Sequence, residues 1–325
     1  MKSKLYNKEA VIKFIEDGKL IALAGDERVL SDLPQGNWIG GTIPYFMGIE
    51  GGLFSQELIY VNELHEAPKG FSINYYNASE VNNIVSDTFN NGASIVIIPP
   101  FTDVHKQYAI QIPENEDLFN NPIIGWVAGV NLNSKDTPKT YNGKTGEVYT
   151  DRAVAIHIEL PDNKLARLEI TNIFTQSDKD IEIEFFDGGF ECTNCLINGE
   201  ETNLAQFIND NNIDIKLPIV SDYSGALINV SFQGVEGDTV HFYAPVFKNR
   251  KYKFAKSISD YVASFNAQVS NMDVHPEFSC NCILNYLYGE LEGKKIDDVS
   301  GPITFGEIGY QLLNQTLTFL FIEDK

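Results

Sequence analysis

One carboxylate in this sequence sits where carboxylates are costly. Glu307 lies in GPITFGEIG, flanked by Phe305, Gly306 and Ile308, with LLNQTLTFLFIE following. Burying it requires a charge partner or a hydrogen bond. Either it accepts a hydrogen bond from an amine on a ligand, or it takes backbone N–H groups at a turn. Asn314 and Thr316 are two apart, so on a strand they share a face. There they hold Glu307 or line the same site, with ordinary edge-strand polarity as the alternative. Gly40, Gly41 and Thr42 end an apolar strand. Paired glycines let a ligand approach the backbone and leave N–H groups free for an anion; a tight turn or bulge is the other reading. Gly125 and Gly129, in NPIIGWVAGVN, repeat that element.

Cys192-Thr-Asn-Cys195 has the spacing of a zinc-binding or redox pair. Cys280-Asn-Cys282 suits zinc poorly, because alternate strand residues would supply both sulfurs. Separate reduced thiols packed as small apolar residues are the competing reading. The histidines, His65, His105, His157, His241 and His275, form no HxH or HExxH cluster. The glycine-rich stretches match neither GxGxxG nor GxxxxGK[ST], and no GxSxG elbow occurs. Neither a metal nor a cofactor is expected. Ser221–Gly225 reads as a turn or a pocket loop.

Lys and Arg total 24 against 45 Asp and Glu, a net charge of −21. That balance argues against nucleic acid as a partner, and against adhesion to anionic membranes. The start, MKSKLYNKEAVIKFIEDGK, lacks the apolar core of a signal peptide, and no apolar window is long enough for a membrane helix. With only 4 cysteines in 325 residues, the expected setting is the cytoplasm, with thiols reduced.

The elements that must position these residues recur in order. KEAVIKFIEDG (8–18) is an amphipathic helix ended by Gly18, and LIALAG (20–25) is a buried strand. The glycine-containing strand NWIGGTIPYFMG (37–48) and the strand ELIYVNEL (57–64) follow. A helix over 79–92 with Ser79 as its N-cap, a strand ASIVIIPP (93–100), NPIIGWVAGVN (121–131) and RAVAIHIEL (152–160) repeat that order. Residues 131–151 read as a surface hairpin or lid. In the second half, strands are expected at 165–174 and 180–190, a helix at 198–211 and a strand meander at 216–246. A long amphipathic helix covers 253–270, and a strand runs into a helix over 278–293. Two strands end the chain. The expected class is α/β: a duplicated α/β N-terminal half (1–164, repeats at about 8–64 and 79–160) packed against an α+β C-terminal half (165–325) with mixed sheets.

VEGDTVHFY (235–243), FSCNC (278–282), GPITFGEIG and LLNQTLTFLFIE together resemble the C-terminal domain of the FIST sensory family. LINGEETNLAQFI (196–208) resembles the segment joining the two FIST halves, and the two glycine-containing strands resemble those of its N-terminal domain. An arginine that the family often carries after the strand cysteine is absent here, and Ile43, Pro44, Tyr45 and Phe46 replace small polar residues. The resemblance implies a cytoplasmic sensor rather than an enzyme. It would bind a small molecule, an amino acid or small carboxylate, and signal through a separate protein. The residues expected at the ligand are Gly40, Gly41, Thr42, Gly125, Cys280, Cys282, Thr304, Gly306, Glu307 and Asn314. Two rivals remain: a cysteine-dependent hydrolase or transferase, and a structural or oligomerising protein without a ligand.

Overall fold

The computed structural model describes residues 4–64, 68–223, 225–270, 275–297 and 299–325. His65 and Ser224 of the sequence reading lie outside these residues. The class is α/β: short helices pack on strands arranged in mixed sheets.

Two six-stranded sheets share a core order, one made from the first half alone and the other from four first-half strands and two of the second half. In one, Ile21–Gly25 pairs in parallel with Trp38–Thr42 and antiparallel with Ile59–Glu63, and Leu5–Tyr6 extends the edge. In the other, Gly92–Ile98 pairs in parallel with Ile123–Val127 and antiparallel with Ala153–Glu159, and Gly70–Tyr76 extends the edge. The parallel strands are buried throughout, as continuous runs such as IALAG and SIVII require when both faces are covered. Asn7 caps the helix Lys8–Glu16 by accepting from the Ala10 N–H, and Val11 and Ile15 face inward. Residues 140–149 form the expected hairpin, and Thr140–Asn142 adds to the sheet beside Gly40 and Gly41.

The two halves exchange strands. Tyr45–Gly48 and Gly51–Phe54, from the first half, join a sheet otherwise made by Lys164–Thr171, Phe278–Cys282, Gly301–Thr304 and Leu317–Asp324. Glu307–Gly309, from the second half, pairs with Ile123–Val127. The division expected at residue 164 falls at the first residue of the strand Lys164–Thr171, and two of the sheets draw strands from both halves. A further six-stranded sheet and a three-stranded sheet, both from the second half, enclose a separate apolar cluster around Phe185, Phe232, Phe242 and Tyr252.

Several elements depart from the sequence expectation. The helix expected over 79–92 is reduced to Asn83–Ser86, and Ser79 bonds to Asn77 instead of capping it. Asn, Ser, Asp and Thr fill that segment and compete for backbone hydrogen bonds. The helix expected over 253–270 begins only at Tyr261, where Asp260 accepts from the Ala263 N–H. Lys251–Phe254 is a strand with Tyr252 and Phe254 turned inward, a period of two that the helical reading missed. The helix after Phe278–Cys282 stops at Tyr288, capped by Gly289 and not Gly293. The closing segment holds four strands: Gly301–Thr304, Glu307–Gly309, Gln311–Leu313 and Leu317–Asp324.

Candidate functional site

Glu307 is fully buried. Its strand lies between Ile123–Val127 and Gln311–Leu313, and its direct cross-strand partners are Trp126 and Leu313. Asn314 and Thr316 do not share a strand face. Gln315 adopts a left-handed φ of 53°, and the three residues form the turn that carries the chain from one sheet to the next. That turn aims the Thr316 amide and hydroxyl at Glu307 Oε1, each donating at 2.7 Å. Asn314 Nδ2 donates to the adjacent Leu313 carbonyl instead. Burial pushes the Glu307 carboxyl up to about 8, against the opposing pull of the Thr316 donors. The group is therefore protonated at neutral pH.

The strand cysteines surround that carboxyl. Cys280 contacts the Thr304 hydroxyl at 3.2 Å, and Thr304 donates to the Gly306 carbonyl at 2.9 Å. The Cys282 thiol lies beside Glu307 without completing a well-formed bond to Oε2. Burial first, and Glu307 second, push both thiols well above the ordinary range. Glu307 Oε2, Trp126 Nε1, Thr318 Oγ1 and Asn314 Oδ1 are buried without a hydrogen-bond partner among the described residues. Thr318 pairs with Cys280 across the sheet, and Trp126 pairs with Glu307, so one knot of polarity joins the two sheets.

The glycines serve close packing. Gly40 and Gly41 have ladder partners on both sides, Leu23 and Ala24 on one and Tyr141 and Thr140 on the other. The expectation that their N–H groups stay free for an anion is corrected: the strand is internal to its sheet. A Cβ on Gly41 would lie 2.5 Å from Ile97 and 2.9 Å from Trp126 Nε1, and one on Gly40 would lie 3.1 Å from the Trp38 ring. Gly125 sits between Val96 and Ile308, where a Cβ would fall 1.8 Å from the Val96 carbonyl oxygen. Thr42 is also consumed internally, accepting from the Lys139 amide through Oγ1 at 2.9 Å and from the Gly129 amide through its carbonyl at 2.6 Å. Gly125, Gly306, Glu307, Cys280, Cys282, Thr304 and Asn314 are therefore neighbours, with Gly41 reaching them through Trp126; Gly40 and Thr42 face other partners.

A cavity of about 120 Å³ opens beside this knot. It lies at the carboxyl ends of the parallel strands Gly92–Ile98 and Ile123–Val127, the position where open α/β sheets bind ligands. Pro100, Phe101 and His105 line it from the loop and helix after the first strand, and Val127 and Leu132 from the second. The second half contributes Gln233, Tyr243, Ile283, Leu284, Leu287 and Phe305. Ile283 follows Cys282, and Phe305 precedes Gly306; Phe305 and Gly306 are pinned to Val127 by backbone bonds of 3.2 and 2.8 Å. Phe101 holds a left-handed φ of 59°, a strained state for a bulky residue, and stands 61% exposed at the rim. His105 is buried and touches the Phe101 and Phe190 rings, while its ring nitrogens make no hydrogen bond among the described residues. Burial pulls its pKa down to about 4, so it is neutral at physiological pH.

Sequence reasoning missed this wall. The helix Asp103–Gln111, capped by Thr102, is not apolar enough along one stripe to stand out, although the Pro99-Pro100 break after an apolar run marks a strand end. Among the described residues, no group of three or more His, Cys, Asp or Glu converges for a metal ion. Cys280 and Cys282 belong to the main core, and Cys192 and Cys195 to the separate cluster of the second half.

The model of a family of unknown function, DUF6976, matches residues 6–323. The chain belongs to that family. No curated protein and no solved structure matches it. The family match thus spans both faces of the cavity, together with the strand exchange that brings them together. No helix of the described residues is long and apolar enough to cross a membrane.

Proposed function

We propose that this chain binds a small molecule in the cavity between its halves and acts as a sensor. The carrying observation is the placement of that cavity at the carboxyl ends of a parallel strand pair, walled by residues of both halves. A ligand there contacts both halves at once, so its affinity depends on how they are set against each other, which is how binding biases a conformational equilibrium. Among the described residues, no Lys or Arg lines the cavity. A free carboxylate would lack a countercharge, and the ligand class narrows from amino acids and small carboxylates to small, largely apolar molecules with one hydrogen-bonding group. The neutral His105 ring, the Tyr243 hydroxyl and the Gln233 amide are the polar groups that would orient it. FIST-type sensing, a cytoplasmic setting and a separate output protein belong to the same proposal.

The test is a thermal-shift and calorimetric screen of uncharged small aromatic and aliphatic alcohols, amides and ketones, run beside amino acids and carboxylates. A true ligand at 100 times its Kd stabilises the fold by about 2.7 kcal/mol. His105→Phe keeps an aromatic ring and removes the polar atoms, and is expected to weaken binding about tenfold. A hit that is insensitive to His105→Phe and to Leu284→Phe, or no hit in either set, would overturn the assignment. The cysteine-enzyme reading gains little support, because Cys280 and Cys282 are held protonated and a thiol nucleophile acts as its thiolate.

A further inference from the structure

The pair Cys192 and Cys195 lies apart from the cavity, and its arrangement differs from that of the other two cysteines. The strand Gly189–Cys192 belongs to the three-stranded sheet and Asn194–Ile197 to a six-stranded one, and the chain bends at Thr193 between them. Both side chains pack on the same apolar cluster, Cys195 fully buried and Cys192 partly buried. The two thiols are close enough to perturb each other's ionisation, and Cys192 donates to the Asn194 carbonyl at 3.3 Å.

We propose that Cys192 and Cys195 form a thiol–disulfide exchange site whose co-substrate is a low-molecular-weight disulfide. Reactivity follows exposure and thiolate character. Cys192 is the sulfur that solvent reaches, and the neighbouring Cys195 thiol draws its pKa below the ordinary value. Cys195 is shielded, and the neighbouring Cys192, followed by burial, pushes its pKa up. These are the properties of an attacking and a resolving thiol. The Cys192 thiolate attacks one sulfur of the disulfide RSSR, forming Cys192–S–S–R and releasing RS⁻, which takes a proton from solvent. Cys195 then loses its proton to solvent and attacks the Cys192 sulfur. The intramolecular disulfide forms and the second RS⁻ leaves. Two electrons pass from the dithiol to RSSR. Only Thr193 and Asn194 separate the sulfur-bearing residues, so closing this ring costs little chain entropy. Cys280 and Cys282, both buried and both held protonated, are the internal controls.

The test treats the folded full-length chain with 2-hydroxyethyl disulfide, quenches free thiols by alkylation, and maps tryptic peptides by mass. Both cysteines fall in the single peptide 180–216, and Cys280 and Cys282 fall in 257–294. The expected result is loss of two hydrogens from 180–216, with 257–294 doubly alkylated. Cys195→Ser, or Cys195→Ala if that variant misfolds, is expected to stop at the mixed disulfide. Cys192→Ser is expected to react at least about tenfold more slowly. A wild-type 180–216 peptide that stays doubly alkylated, or that keeps the adduct on Cys192, would overturn the proposal. So would a Cys192→Ser rate equal to the wild type.

Discussion

Replacing Glu307 by Gln tests the protonation state on which the buried knot depends. The carboxyl is raised from 4.5 to about 8 in the folded chain. Between those values the native state holds a proton that the unfolded state has released. Stability must therefore fall as pH rises through this window, and level off above 8. One pKa unit corresponds to about 1.36 kcal/mol. Comparing the two states at pH 6.5 and pH 8 gives a loss of about 1–2 kcal/mol for the wild type over that interval. Glu307→Gln has nearly the same shape, cannot ionise, and keeps an oxygen for the Thr316 donors. Its stability lacks this component, and titrations elsewhere cancel when the two proteins are subtracted. Urea unfolding at pH 6.5, 7, 7.5 and 8 reads the difference directly. Parallel pH profiles for the two proteins would refute the reasoning, because they would mean that Glu307 ionises at the same pH folded and unfolded.

Thr316→Val removes one of the two donors to Glu307 Oε1. It should lower stability by about 1–2 kcal/mol at pH 8, where the carboxylate needs that donor, and by less at pH 6, as urea titrations at both values would show. Gly125→Ala drives a Cβ into the Val96 carbonyl oxygen. The expected cost is about 3 kcal/mol in chemical denaturation, with the strand Ile123–Val127 losing hydrogen-exchange protection first. On the acid side, His105 and His157 are both held near pKa 4 by burial. The native state binds fewer protons than the unfolded state between about 4 and 6.5, so stability rises with pH there by up to about 1.4 kcal/mol per unit for each histidine. His157→Gln should flatten part of that rise in a thermal scan across pH 4–7.

The apolar runs around Gly25, Ile98 and Val127 were legible as buried strands because a two-sided parallel sheet needs continuous hydrophobicity, and the helix Lys8–Glu16 was legible from its apolar stripe and the Gly18 that follows it. Glu307 was legible as a carboxylate needing a partner, since its flanks are apolar. Thr316 was named as a holder of Glu307, but on the wrong geometry: a positive φ at Gln315 cannot be read from a glutamine, so the turn looked like a strand. The glycines were read as open backbone when Trp38, Trp126 and the Val96 carbonyl occupy the space above them. Trp38 is two residues from Gly40 on the same strand face, whereas the Val96 carbonyl and Trp126 are 29 and 85 residues from Gly125 and Gly41 and are brought there by tertiary packing. The cavity was illegible for the same reason. Its walls come from Pro100, Val127, Gln233, Ile283 and Phe305, which share no local pattern.

The traded strands have a consequence for how the chain is made. Residues 45–48 and 123–127 reach the end of the ribosomal tunnel long before residues 301–309, which supply their missing partners. A nascent chain carries two unfinished sheet margins through most of its translation, and such margins invite pairing with other chains. The last few dozen codons thus decide whether the first half ends up enclosed. A premature stop after residue 300 would leave a sticky fragment prone to aggregation, not a smaller working protein.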